Sequence, residues 1–124
     1  MDFSLVKEKK MILRDIIDKL GLKILSGEGS LDIEVKVAYA SDILSDVMAC
    51  AVKGGLWITN QNHQNVIAIV YFKTLAGAIL AGGMMPDDET LAKARAKNVP
   101  LFQSELPAFE ISGRLYGLGI KGSA

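Results

Sequence analysis

The twenty residues from Val66 to Met85, VIAIVYFKTLAGAILAGGMM, carry a single charge, Lys73. A run that long and that apolar either crosses a bilayer or folds away as buried elements. Insertion would set Lys73 near the midplane at a cost of about 2.5–3.5 kcal/mol. Gly77, Gly82 and Gly83 interrupt the run, and its C-terminal end lacks aromatic anchors. The stretch therefore reads as two short elements of a protein core, with no membrane partner. Its first part, NVIAIVYFK, fits either a β-branched strand or a helix apolar on nearly all sides, and its length favours the helix. Its second part, GAILAGG, is the clearest central strand.

A chain of 124 residues makes one domain, and such a domain buries roughly two-thirds of the surface its unfolded form exposes. Half the residues are hydrophobic, a surplus most easily hidden between subunits, so a homodimer is expected, with the helix after Asn65 against the partner. A protein partner of another kind is the alternative. Fourteen basic residues balance fourteen acidic ones, leaving no field that favours nucleic acid. MDFSLVKEKK lacks the apolar core of a secretory signal, and a lone Cys50 excludes an internal disulfide. Both fit a cytoplasmic protein.

Strand and helix signals alternate along the chain. Ile12, Leu13, Ile16, Ile17 and Leu20 recur at helical spacing up to Gly21. LKILSG reads as a strand closed by the GEGS turn, and IEVKVAYA as a strand with Ile33, Val35 and Val37 on one face. Ser41 and Asp42 offer N-cap oxygens to a helix buried through Ile43, Val47, Met48 and Ala51 and closed by Gly54 and Gly55. LWIT is a short buried strand. PDDETLAKARAKN has acids in its first turn and bases in its last, as a solvent-facing helix should. VPLFQS is another strand, and Pro107 opens a helix over Ala108 to Leu118. The order predicts an α/β fold: a three-layer single domain with a mostly parallel sheet of about five strands flanked by helices. The domain spans 11–120, with an N-terminal extension at 1–10 and a C-terminal tail at 121–124.

Several chemistries can be set aside. GLGIKG, Gly117 to Gly122, spells a dinucleotide-type glycine pattern, but a helix precedes it and almost nothing follows. It reads as a helix cap and tail. There is no Walker phosphate loop. One His and one Cys do not make a transition-metal site. Cys50, mid-helix, reads as a small core residue, and the carboxylates form no catalytic pair, so no enzyme, cofactor or metal is expected.

What remains is an edge. Ligands of open α/β sheets bind beyond the carboxyl ends of the strands. Those ends supply Ser41 and Asp42, then Thr59, Asn60, Gln61, Asn62, His63 and Asn65, then Gly82 and Gly83, then Ser104 and Glu105. The glycines would let backbone N–H groups approach a ligand, and three helix N-termini would point there. The amides of Asn60, Gln61, Asn62 and Gln64 suit a neutral polar or phosphorylated molecule, a nucleotide included. Three readings of WITNQNHQN stay open: helix capping and loop solvation, ligand contact, or catalysis with His63 as a general base. Trp57 reads as core or interface.

LRDIIDKLGLKILSGEGSLDIEV, Leu13 to Val35, resembles the opening of the N-terminal domain of HPr kinase/phosphorylase, where a Leu-Gly-Leu helix end leads to a strand, a Gly turn and a Leu-Asp-x-x-Val step. Gly77 to Leu115 resembles the DRTGG domain, which also occurs in some phosphotransacetylases and CBS-containing pyrophosphatases. Met11 to Ile120 as a whole is similar to stand-alone DRTGG-domain proteins. Ala81-Gly82-Gly83 stands where the family has Thr-Gly-Gly, and His63-Gln64-Asn65 where it has Asp-Arg. The resemblance implies a regulatory or ligand-sensing module that tends to dimerise, with an HPr kinase N-terminal-domain-like fold and no kinase activity.

Overall fold

The computed structural model describes residues 10–123. All of the proposed N-terminal extension except Lys10, and the last residue of the proposed tail, lie outside them. The chain runs α1 (Leu13–Leu20), β1 (Lys23–Ser26), a 3-10 turn (Glu28–Ser30), β2 (Val37–Ala40), α2 (Leu44–Cys50), β3 (Leu56–Thr59) and α3 (Gln64–Lys73). It continues through β4 (Gly77–Leu80), α4 (Asp88–Ala96), β5 (Leu101–Gln103), α5 (Ala108–Gly117) and β6 (Lys121–Gly122).

The strands form one sheet in the order β1-β5-β4-β3-β2-β6. β1 runs antiparallel to β5, and every other pairing is parallel. The fold is thus the expected three-layer α/β domain, with six strands instead of about five. Lys121 and Gly122, expected in a tail, pair with Val37 and Ala38 as the sixth strand. Two residues carry no readable alternation, so only the tertiary pairing reveals them.

Side chains of the central strands alternate between two apolar layers, as pleated strands must. On one face, Leu56, Ile58, Ile79 and Phe102 meet Leu13, Ile16, Ile17 and Leu20 of α1 and Ile111 and Leu115 of α5. On the other, Trp57, Ala78, Leu80 and Leu101 meet Val47 of α2, Val66, Ile67, Ile69 and Val70 of α3, and Ala94 of α4. Burying a side chain of this kind is worth about 1.5–3 kcal/mol, so β3 and β4, buried at every position, anchor the domain.

α1 ends as expected at Gly21, which takes a left-handed conformation (φ 63°). NVIAIVYFK is a helix, capped at its start by His63 and at its end by Thr74. Two local expectations fail. Residues 33–36 precede β2 and are held by an isolated bridge between Ile12 and Glu34 and by the Val35 N–H donating to Met11 O (2.8 Å). Ile33 is consequently 40% exposed although Val35 is buried. In α2 the N-cap is Ile43, not Ser41 or Asp42. Ile43 and Met48 face outward, and the helix stops at Cys50, well before Gly54. Ser41 and Asp42 are drawn instead into the loops at the edge of the sheet. Among the described residues no helix is long and apolar enough to cross a membrane.

Candidate functional site

The parallel register places Thr59 beside Leu80, and Leu80 beside Gln103. The segments leaving β2, β3, β4 and β5 therefore open on a single rim, and all twelve sequence candidates lie on it. Their side chains divide into two groups.

The first group fastens the loops to one another. Asp42 Oδ1 accepts from the Thr59 hydroxyl and from the Asn60 N–H, both at 2.8 Å. Thr59 Oγ1 in turn accepts from the Gln61 N–H (3.0 Å), and the Gln61 amide donates to Asp42 O (3.2 Å). Asn62 Nδ2 donates to Met85 O (2.7 Å), linking the exits of β3 and β4. Ser41 Oγ accepts from the Ile43 N–H (3.1 Å), and Ser104 Oγ from the Leu106 N–H (3.1 Å). Trp57 is fully buried, with its indole N–H on Ser41 O (2.8 Å), so it belongs to the core.

His63 belongs to this group as well. Its Nδ1 accepts from the Asn65 N–H (3.2 Å), capping α3. An accepting Nδ1 sets the neutral ring's proton on Nε2, leaving neither nitrogen free to act as a base. At the start of α4, Asp87 accepts from the Thr90 N–H (2.8 Å). That bond is the main reason the Asp87 carboxyl is held below its usual range.

The glycine pair differs from expectation. Gly82 and Gly83 have φ of 67° and 74°, a region that favours glycine. Their N–H groups, expected to face a ligand, donate to Leu106 O and Ser104 O at 2.8 Å each. Gln103, overlooked in the sequence, completes the clasp by donating from Nε2 to Gly83 O (3.1 Å). Its only sequence signal is a polar residue closing a buried strand. The glycines thus form a flat floor with no outward donors.

The second group flanks that floor. The side chains of Asn60, Asn65 and Glu105 are exposed and make no hydrogen bond among the described residues. A Cβ at Gly82 would lie 3.8 Å from Asn60 Nδ2, and one at Gly83 only 2.5 Å from a Glu105 carboxylate oxygen. Asn60 and Glu105 therefore stand on either side of Gly82-Gly83. A small gap among Asn62, Val66, Pro86 and Thr90 has no room for water. A roomier groove of ≈ 770 Å³, lined by Ser30, Lys53, Tyr71, Thr74 and Lys97, opens at the opposite edge of the sheet. Tyr71 there is already covered by Lys97, whose Nζ lies 5.1 Å from the ring centre. The rim is the better candidate because four strand ends meet there and the segments after β3 and β5 bring it the unpaired side chains of Asn60, Asn65 and Glu105. No cluster of three or more metal-ligating side chains occurs among the described residues.

No curated protein sequence matches the chain significantly. Among solved structures it is similar to the CBS and DRTGG domains of the regulatory region of Clostridium perfringens pyrophosphatase, a region crystallised with its activator diadenosine tetraphosphate. The TM-score is 0.68 at 17% identity, and the match covers 97% of this chain but 52% of that one, so this chain spans about half its length. At that identity the likeness establishes the fold. The DRTGG-domain model matches residues 15–118, most of the chain, and the protein is therefore a member of the DRTGG-domain family.

Proposed function

We propose that the protein is a non-catalytic, cytoplasmic regulatory module that senses a small polar ligand at the rim. The observation that carries this reading is the pair Asn60 and Glu105, exposed and unpaired on either side of a floor without side chains. The backbone N–H groups of Gly82 and Gly83 and the Gln103 amide are committed to holding that floor in place. An amide and a carboxylate recognise hydroxyl and amino groups, so a nucleotide would present its sugar or base to them and direct its phosphates outward. The related pyrophosphatase region, with its nucleotide activator, supports the same class of ligand. Capping by His63 Nδ1 argues against the general-base reading.

The test is a thermal-shift panel of adenine and guanine nucleotides, dinucleoside polyphosphates and phosphorylated metabolites on the wild type, Asn60→Ala and Glu105→Gln. A ligand at a hundred times its Kd adds about 2.7 kcal/mol, which is readily seen. The expected result is a shift in the wild type that both variants diminish. A shift that both variants retain would overturn the site. No shift with any compound would favour the second reading, an adaptor that docks a protein on the outer side of α3. That reading is favoured by Tyr71 and Phe72, which are 61% and 76% exposed.

A further inference from the structure

α5 has an outer face that the fold itself does not explain. Phe109, Gly113, Tyr116 and Gly117 follow one another at spacings of four, three and one, and so share an outward stripe. Phe109 is 86% exposed and Tyr116 62%. Gly113 sits in the interior of the helix, where glycine is the poorest ordinary helix former. A Cβ there, or at Gly117, would meet nothing within 4 Å. Packing within the chain therefore gives no reason for either glycine, whereas close approach of a second helix does. Glu110 and Arg114 run beside the stripe, both exposed and without an ion pair among the described residues.

The pattern is complementary to itself. Turned antiparallel about a two-fold axis near Gly113, two α5 helices bring Glu110 of each copy to Arg114 of the other. Phe109 of each copy meets Tyr116 of the other, and the glycines allow the backbones to approach. Tyr116 is suited to this role because Lys121 Nζ covers one face of its ring at 4.3 Å, leaving the other for Phe109. We infer that the outer face of α5 docks a second copy of this chain in antiparallel register. The expected homodimer is thereby moved from α3 to α5. Glu110 and Arg114 supply register more than affinity, since exposed ion pairs contribute little. The two rims point in opposite directions and both stay open, so this inference does not depend on ligand binding there.

Sedimentation velocity from low micromolar to near-millimolar protein tests it. The wild type should show a dimer fraction that rises with concentration. Gly113→Arg should weaken the dimer by at least about tenfold through steric and charge clash, with no loss of monomer thermal stability, since the position faces open space. Glu110→Arg alone and Arg114→Glu alone should each weaken self-association. An equimolar mixture of the two should recover it, because the mixed pair is again complementary. Should Gly113→Arg fail to fold, the mixing experiment decides alone. A wild type monomeric throughout, or a dimer indifferent to these charge changes, would overturn the assignment.

Discussion

The two edges of the parallel sheet are built on different principles. At the edge where the strands begin, turns close chiefly through backbone: Gly54 N–H to Thr74 O, Leu75 N–H to Val70 O, Ala76 N–H to Gly55 O and Val99 N–H to Ala94 O. Thr74 and Asn98 hold left-handed conformations there, each with φ 53°. At the rim where the strands end, side chains of Asp42, Thr59, Gln61, Asn62, His63 and Gln103 add their own connections to the backbone bonds of Gly82 and Gly83. A backbone-closed edge accepts many sequences, while a side-chain-closed edge specifies its own geometry. The difference locates where composition has been committed to shape, and Asn60 and Glu105 stand out against that committed background.

Substitutions at four positions probe the contrast. The largest effect is expected at the first edge, from Gly77→Ala, where a Cβ would sit 2.6 Å from Phe102 Cε2. Phe102 is fully buried and cannot swing away, so unfolding in denaturant should show a loss of about 3 kcal/mol from overpacking. At the rim, Asp42→Ala leaves the buried Thr59 hydroxyl without its acceptor and should cost about 2 kcal/mol. Asp42→Asn keeps an oxygen in place and should cost clearly less; equal losses would show that the bond is not what matters.

Returning to the first edge, Thr74→Gly removes a β-branched residue from a left-handed site and should gain about 1 kcal/mol. A loss there would mean that the Thr74 side chain serves the groove. The smallest effect belongs to Asp87→Ala, through loss of the α4 cap. Because the folded carboxyl titrates below its unfolded value of 3.8, its stabilisation is present above that value and lost as pH falls through the lower folded one. The melting temperatures of variant and wild type should therefore converge in acid and stay apart at neutral pH.

Most of this architecture is legible in the sequence, for an identifiable reason. Hydrophobic patterning reports burial, and segment length separates the ten-residue α3 helix from the four-residue β3 and β4 strands. The same signal misleads for residues 33–36, because alternation does not reveal whether a partner strand reaches that far. It misplaces Ile43 and Met48, because apolar character on a short helix does not say which side is covered. β6 and the reversed direction of β1 leave no local mark. The rim could be assembled from strand ends, but its division into fasteners and unpaired groups could not, since Asp42 and Thr59 are linked only in three dimensions.

The most direct test is an amide NMR titration of the wild type with the nucleotide or phosphorylated compound that gives the greatest thermal shift. The account predicts shift changes concentrated at Asn60, Gly82, Gly83 and Glu105, with the opposite edge silent. Changes centred on Ser30, Lys53, Tyr71 and Lys97 would place the ligand in the groove at the other edge and contradict it.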